Sequence, residues 1–281
     1  CTYCAIASIR GKYRSEKMQD LLGEAKKLSD DGVKELILVA QDVTRYGTDF
    51  DGKPHLIELL NKLSEFDFEW IRLLYLYPEM VDDTLIQYVK NNPKIAKYMD
   101  IPLQHIDDQV LKRMNRRTDE KSIRELISKL KNAGIAVRTP FICGFPGETQ
   151  EQFEKLEKFV KEVKFDYAGF FAYSREDGTP ADKLDGHIDE SVKEARAKKL
   201  AAVQERIIKT HNKELIGKQV KVIYDDIDYD KQTFVGRTQT QAPDIDNVTL
   251  FSADEEVKIG EFYTVEITGA DGIDLVGKVI E

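Results

Sequence analysis

Two cysteines, Cys1 and Cys4, open the chain in a C-x-x-C spacing. Thiolates at this spacing can form a redox-active dithiol or hold a metal, although two ligands alone do not complete a metal site. A thioredoxin-like dithiol follows a strand and opens a helix. Here the sequence predicts a loop rich in Arg and Lys, and a helix only after Ser15, its predicted N-cap. The spacing leaves three interpretations open: a dithiol, half of a zinc site, or part of an iron–sulfur site.

Cysteine usage and composition indicate the cellular compartment in which the protein is expected. The third cysteine, Cys143, ends an apolar run and is predicted to pack as a small hydrophobic residue, not to bind a cluster. Three cysteines give no disulfide framework, which favours a reducing, cytoplasmic compartment. No apolar run has membrane-span length and no signal peptide is present, so no membrane partner is expected. The chain also lacks an initiator Met, and we expect a fragment of a longer protein.

Short apolar runs alternate with helical patterns in the first three quarters of the chain. Strands are predicted at residues 36–40, 70–76, 98–103, 137–143 and 167–173, the third weakened by Pro102. Helices are predicted at about 18–28, 55–63, 82–90, 119–133, 148–163 and 191–215. Repeated strand–helix units predict an α/β fold, a partial TIM-type barrel of six parallel strands whose first strand would precede Cys1. Chemistry in such barrels lies at the carboxyl ends of the strands.

The last quarter of the chain changes pattern. Gly217 is placed to end the long helix, and beyond it apolar residues recur with a period of two, as in a small antiparallel β-barrel of about five strands. We therefore predict two domains, residues 1–216 and residues 217–281. The second holds six basic and fourteen acidic side chains, a net charge of −8 out of −9 for the whole chain.

Polar residues and a turn mark the predicted strand ends. They are Gln41 and Asp42, Gln104 and His105, the strand residue Arg138, and the turn residues Gly144 and Phe145. Each has an ordinary structural interpretation: a capped turn at Asp42, a structural His105, and a well-made strand-to-helix turn. A buried charge is costly unless paired, so Arg138 is expected to face the barrel mouth and meet a carboxylate.

Three segments carry a family resemblance: residues 1–15, residues 39–47, and the turn Gly144-Phe145-Pro146-Gly147-Glu148-Thr149. Together they resemble the radical S-adenosylmethionine (SAM) methylthiotransferases, whose cluster motif is C-x3-C-x2-C. The resemblance covers nearly the whole chain and implies a radical SAM barrel followed by a TRAM domain. It implies that Cys1 and Cys4 bind a [4Fe-4S] cluster together with a cysteine upstream of Cys1.

The resemblance also implies roles for individual residues and further cofactors. Tyr3 is the aromatic residue before the last cluster cysteine. Gln41 and Asp42 would hold the ammonium and carboxylate of SAM. The residues expected near the rest of SAM or the substrate are Gln104, His105, Arg138, Gly144 and Phe145. A second cluster in an N-terminal domain and an external electron donor such as flavodoxin or ferredoxin complete the expected reaction.

Two branches of this family differ in substrate. MiaB-like enzymes modify a tRNA adenosine, and the RimO branch modifies an aspartate of small-subunit ribosomal protein S-twelve. Binding RNA requires positive charge, because phosphate contacts dominate affinity. The charge of −8 on residues 217–281 favours a basic ribosomal protein instead. We therefore expect the RimO branch, with a tRNA enzyme and a non-radical dithiol or scaffold protein as alternatives.

Overall fold

A computed structural model describes residues 2–280 of the chain. Five parallel strands form a partial barrel: β1 (Glu35–Val39), β2 (Trp70–Leu74), β3 (Tyr98–Asp100), β4 (Ala136–Cys143) and β5 (Tyr167–Ala172). β1 pairs with β2, and β3, β4 and β5 pair in that order. A parallel bridge between Ile71 and Ile95 links the two sheets. The predicted parallel α/β architecture is therefore confirmed.

Helices alternate with these strands along the chain, and the longer ones cover the outer face of the strands. They are α1 (Ile6–Arg10), α2 (Met18–Asp30), α3 (Thr48–Asp51), α4 (Leu56–Leu63), α5 (Asp83–Asn91), α6 (Asp108–Arg113), α7 (Glu120–Asn132), α8 (Gln150–Val163) and α9 (Glu190–Leu215). α7 buries residues at helical spacing, namely Ile123, Leu126, Ile127 and Leu130. These pack with the outward-facing side chains of the strands in one apolar core. Capping boxes begin α7 and α8 and fix where both helices start.

Two strands end earlier than their apolar runs. The run at 70–76 ends as a strand at Leu74, because Tyr75 adopts a left-handed backbone with φ of 61°. The run at 98–103 ends at Asp100, before Pro102, as the proline predicted. The residues that follow Leu74 and Asp100 therefore lie outside the strands.

The beginning of the chain differs from the prediction in two respects. The short helix α1 follows Cys4 directly, where a loop was expected. Ser15 is not a helix cap, because Lys17 precedes α2 and makes no side-chain cap. The Ser15 hydroxyl instead donates to Asp49 Oδ1 at 2.6 Å and accepts from the Gly47 N–H at 2.9 Å. The Ser15 hydroxyl therefore makes tertiary contacts, although the local sequence predicted that it would cap a helix.

Residues 219–279 form a closed barrel of five strands. They are β6 (Gln219–Asp228), β7 (Thr233–Thr238), β8 (Thr249–Ser252), β9 (Phe262–Asp271) and β10 (Asp274–Val279). The predicted strand number is confirmed, but a wholly antiparallel barrel is wrong, since β10 and β8 pair in parallel. A closed ring with an odd number of strands must contain at least one parallel pair. Gly217, with φ of 80°, follows α9 as predicted.

The small barrel packs against the amino-terminal ends of the parallel strands. Arg237 Nη2 lies 2.7 Å from Glu35 Oε2 at the start of β1. The ring of Trp70, which begins β2, lies 4.6 Å from that of Phe262. Ala242 is buried in the lumen against the first residues of β3 and β4. The carboxyl ends of the strands are thus left for the candidate site.

Candidate functional site

The cysteine loop is fixed to the barrel by its backbone. Thr2 N–H donates to Met114 O at 3.1 Å, and Ala181 N–H donates to Thr2 O at 2.9 Å. The Tyr3 ring packs edge-on against the Phe145 ring at 6.1 Å, and burial raises the pKa of Tyr3 to about 12. Cys4 is exposed, and its Sγ accepts a hydrogen bond from the Ile6 N–H at 3.4 Å. Its thiol is therefore presented to solvent on an anchored loop, while Cys1 lies outside the described residues.

The segment after the cysteine loop is tied to the residues that follow β1. Tyr13 Oη donates to Asp42 O at 3.2 Å, and the Arg45 guanidinium lies 4.8 Å from the centre of the Tyr13 ring. Ser15 contacts Asp49. These bonds bring two of the segments that carried the family resemblance into contact.

Asp42 combines a structural contact with an unsatisfied acceptor. Its Oδ1 accepts from Thr44 N–H at 3.1 Å and from the Thr44 hydroxyl, so it caps the 3₁₀ turn Val43–Arg45. Its Oδ2 is buried and has no hydrogen-bond partner within the described residues. Burial raises the pKa of the Asp42 carboxyl. A buried carboxylate oxygen without a donor is costly, and a ligand ammonium would satisfy it.

Two of the predicted site residues are glutamines, Gln41 and Gln104. Gln41 is exposed beside Asp42, at the open carboxyl end of β1. Gln104 has a left-handed backbone with φ of 71°, and it bridges to Phe141 of β4. Cofactor contact by either side chain stays a prediction.

Arg138 lies on the luminal face of β4, and its predicted pairing with carboxylates is confirmed, but it reaches toward the small barrel and not toward the barrel mouth as expected. Its Nη1 lies 3.0 Å from Asp100 Oδ1, and its Nε lies 3.5 Å from Asp246 Oδ1. Asp246 belongs to the segment between β7 and β8 and accepts from the Tyr98 hydroxyl at 2.7 Å. Burial raises the pKa of both carboxyls, to about 6 for Asp246. The arginine thus joins the two barrels inside the lumen.

The turn after β4 is braced by a buried ion pair. Glu148 Oε2 accepts from the Gly144 N–H at 3.0 Å, and its Oε1 lies 2.7 Å from Arg196 Nη1 of α9. Gly144 has φ of 74°, and a Cβ there would lie 2.2 Å from Lys193 Cγ, so the position requires glycine. The Phe145 side chain is fully buried, which leaves only the backbone of this turn to contact a ligand.

His105 supports the same turn. It is fully buried, its Nδ1 accepts from the Asp107 N–H at 3.0 Å, and its Nε2 lies 3.4 Å from Glu148 Oε2. Because Nδ1 accepts, the neutral ring carries its proton on Nε2, facing the carboxylate. These contacts are those of a structural partner, and direct contact of His105 with a cofactor stays a prediction.

The third cysteine is buried in the main core at the end of β4. Burial raises the pKa of the Cys143 thiol to about 12, which keeps it protonated and unsuited to bind iron. Within residues 2–280, no three His, Cys, Asp or Glu side chains come together as a metal site. No helix of that part of the chain combines the length and the apolar character needed to span a bilayer.

Family comparisons assign the class of protein. Residues 1–160 match the model of the Radical SAM superfamily, and residues 216–280 match that of the TRAM domain. The first match covers more than half of the chain, and the chain belongs to the radical SAM superfamily.

Curated proteins with similar sequences indicate which kind of radical SAM protein the chain resembles. The chain is 45% identical to the ribosomal protein uS12 methylthiotransferase RimO of Elusimicrobium minutum, over 100% of this chain and 64% of that protein. It is 47% identical to the RimO of Clostridium botulinum strain Eklund 17B, over 99% of this chain and 63% of the relative. The chain therefore spans slightly less than two thirds of these relatives. The similarity extends over the whole of the residues described above.

Solved structures agree on the fold. The radical SAM methyltransferase TsrM of Kitasatospora setae, solved with cobalamin and a [4Fe-4S] cluster, matches with a TM-score of 0.54 at 16% identity, over 64% of this chain and 36% of TsrM. Coproporphyrinogen III oxidase (HemN) of Escherichia coli matches with a TM-score of 0.53 at 14% identity, over 81% of this chain and 60% of HemN. At such identities the match shows the fold alone.

Sequence reasoning missed three luminal residues. Asp100 and Asp246 pair with Arg138, and the Tyr98 hydroxyl donates to Asp246. Arg72, fully buried in β2 and 2.8 Å from Glu35, was also not singled out. The sequence signal that could have found these residues was a charged residue within an apolar strand, because a buried charge requires a partner.

Proposed function

We propose that this protein is a SAM-dependent methylthiotransferase that modifies an aspartate of ribosomal protein uS12. The observation that carries the proposal is 44–47% identity to curated RimO proteins across essentially every residue of this chain. That span includes the cysteine loop, the strand-end residues and the acidic small barrel. Nothing in these segments requires a different chemistry.

The residues present fit an iron–sulfur cluster and SAM. Cys4 offers an exposed thiol, with Cys1 three positions earlier in the sequence, and Asp42 Oδ2 is a buried acceptor without a donor. We propose that Cys1 and Cys4 bind the cluster with a third cysteine, and that Asp42 accepts from the SAM ammonium. When bound, these groups supply one-electron chemistry that replaces a C–H bond of the substrate by a carbon–sulfur bond.

The residues of the chain would hold the cluster loop, SAM and the substrate in the required orientation. The braced Gly144–Glu148 turn would present backbone to the adenine, because Arg196 and Gly144 hold Glu148 from both sides. Tyr3 would hold the cluster loop through its packing on Phe145. Gln41, Gln104, His105 and Arg138 complete the proposed cofactor and substrate surroundings, with His105 acting through Glu148.

Charge supports a protein substrate over tRNA. Exposed acidic side chains lie on the β6–β7 hairpin and the loop before β9, including Asp226, Asp230, Glu255, Glu256 and Glu261. The two segments are adjacent, because Tyr224 N–H donates to Glu261 O at 3.0 Å and Gly260 N–H donates to Tyr224 O at 2.7 Å. Such a surface repels a polyanion and attracts a basic protein.

Further parts of the proposal follow from the family. We propose a radical SAM core at residues 1–216 and a TRAM domain at residues 217–281, a boundary supported by the end of α9 at Leu215. A second cluster outside these residues, an electron donor such as flavodoxin or ferredoxin, and a cytoplasmic location belong to the same proposal.

The test offers both substrates to the protein in its full native length. The protein is reconstituted anaerobically with iron and sulfide and incubated with SAM, a reductant, uS12 and tRNA. We expect a methylthio group on an aspartate of uS12, detected by peptide mass spectrometry. Methylthiolation of tRNA with none on uS12 would overturn the proposal. Cys4→Ala should abolish the reaction, whereas the matched variant Cys143→Ala, at a buried thiol, should retain it.

A further inference from the structure

Tyr75 is a strained aromatic residue at the carboxyl end of β2. Its φ is 61°, a left-handed conformation that is sparsely populated for a bulky side chain. The flanking Leu74 and Leu76 are buried, whereas Tyr75 is 48% exposed. Gly or Asn adopts this backbone with less strain. The chain reversal alone therefore does not account for a tyrosine here.

Both backbone polar groups of Tyr75 are held in place. Its N–H donates to Asp100 Oδ2 at 3.3 Å, and its C=O accepts from the Val43 N–H at 3.0 Å. Val43 follows Asp42, whose Oδ1 lies 3.5 Å from the Tyr77 N–H. Tyr75 is thus fixed next to the carboxylate proposed to accept from the SAM ammonium.

A chain of polar contacts supports Tyr75 from inside the lumen. Asp100, 1% exposed, contacts Tyr75 through one oxygen and Arg138 through the other, at 3.0 Å. Arg138 continues to Asp246 of the small barrel at 3.5 Å. The Tyr98 hydroxyl holds Asp246 at 2.7 Å. The strained backbone is therefore fixed by buried groups on both barrels, as expected where strain serves a function.

The luminal face of the sheet beyond Arg138 is partly exposed. Along β4 the side chains alternate, and Pro140 and Ile142 are only partly buried on the luminal face. Val39 at the end of β1 and Phe171 near the end of β5 are 62% and 54% exposed. Tyr75 follows Leu74, which is the register partner of Val39, and the face of an exposed tyrosine ring attracts a lysine or arginine of a basic polypeptide. These residues therefore suit a protein segment that enters at the carboxyl ends of the strands.

We propose that Tyr75 contacts the segment of the protein substrate that carries the target residue. The buried contacts of Asp100 and Arg138 hold the tyrosine in that position. The inference rests on the function proposed above and adds to it a residue that determines how the substrate is held.

The test replaces Tyr75 by residues that suit its backbone. Tyr75→Asn and Tyr75→Gly remove the ring while relieving strain, and Tyr75→Phe keeps the ring without the hydroxyl. Lys164→Asn is the matched control, since Lys164 also has a left-handed backbone, with φ of 52°, at the end of α8. Each variant is prepared anaerobically in the full-length protein. Four quantities are measured: the melting temperature, SAM affinity, SAM cleavage without substrate, and KM for uS12.

We expect Tyr75→Asn and Tyr75→Gly to melt at or above the wild-type temperature and to bind and cleave SAM normally. Their KM for uS12 should rise at least about tenfold, as for loss of an interface tyrosine. Tyr75→Phe should restore the wild-type KM, and Lys164→Asn should leave it unchanged.

Three results would overturn the role of Tyr75. An unchanged KM in both ring-less variants shows that the ring does not hold the substrate. Loss of SAM binding shows that it serves the cofactor. Failure of both variants to fold shows that it is structural. If the wild-type protein itself does not modify uS12, the proposed function fails first, and the substrate contact fails with it.

Discussion

Replacement of Asp246 by asparagine tests the electrostatics of the lumen. The Asp246 side chain is 1% exposed and accepts from the Tyr98 hydroxyl at 2.7 Å and the Ala242 N–H at 2.8 Å. Burial raises its pKa from 3.8 to about 6. A carboxyl with a raised pKa favours the protonated form in the folded state. Its contribution to stability is therefore complete below about pH 3.8 and is lost as the pH rises through about 6.

The two pKa values set the size of the effect. With 3.8 unfolded and about 6 folded, the raised pKa of Asp246 destabilises the fold relative to low pH by about 3 kcal/mol at about pH 7.5 and by about half as much at about pH 5. Asparagine does not titrate, and its carbonyl can still accept from Ala242. The stability of Asp246→Asn relative to wild type should therefore increase by roughly 1 kcal/mol from about pH 5 to about pH 7.5.

The assay is urea unfolding followed by the fluorescence of Trp70, the single tryptophan of the chain. Trp70 is 4% exposed and lies against Phe262, so its emission reports separation of the two barrels. Asp244→Asn is the control, because Asp244 is exposed and its left-handed backbone, with φ of 64°, suits asparagine. Its stability relative to wild type at each pH is the baseline against which Asp246→Asn is compared. A relative stability of Asp246→Asn that stays constant, or falls as pH rises, would mean that Arg138 stabilises the Asp246 charge more than burial opposes it, and would refute the reasoning.

Three further substitutions test the site and the interface. Asp42→Asn should weaken SAM binding by roughly 10- to 100-fold, because it removes a charge-assisted hydrogen bond of about 1.5–3 kcal/mol. Equilibrium dialysis of the cluster-loaded protein measures this, and an unchanged affinity would remove Asp42 from the cofactor site. Glu148→Gln should cost about 3–5 kcal/mol in urea unfolding, because it leaves the Arg196 charge buried and unpaired. A loss below about 1 kcal/mol would show that water or another group replaces the carboxylate. Phe262→Ala should cost at least the roughly 0.5–1.5 kcal/mol that an aromatic pair adds beyond burial, and it should shift the Trp70 emission. Emission like that of the wild type would contradict the contact between these rings.

Much of the architecture was predictable because it depends on local patterns. Apolar runs between helical periods gave all five parallel strands within a few residues, and the change to a period of two gave five strands in the small barrel. The need of Arg138 for a buried partner was also local, since it is a charge within an apolar strand. The burial of Cys143 followed from the apolar run that it ends.

The partners of these residues were not predictable, because they come from distant parts of the chain. Asp246 reaches Arg138 from more than 100 residues away, and Arg196 of α9 holds Glu148 from the opposite side of the turn. The parallel pairing of β10 with β8 arises from closure of the whole barrel, not from any strand's own pattern. The strain at Tyr75 is a backbone property that residue types do not encode.

The position of the small barrel assigns different parts of the proposed substrate binding to the small barrel and to the barrel mouth. It packs on the first residues of the parallel strands, such as Glu35 and Trp70, whereas the candidate site lies at their carboxyl ends. β4 has eight residues, about 26 Å at 3.3 Å each, while electrostatic attraction is screened beyond roughly 8 Å in physiological salt. In the proposed function the acidic barrel would therefore not contact the target residue directly. It would bind a basic part of the substrate away from the target, and the groups at the barrel mouth would orient the aspartate. Salt should accordingly weaken substrate binding through the small barrel, while substitutions at Tyr75 should act at any salt concentration.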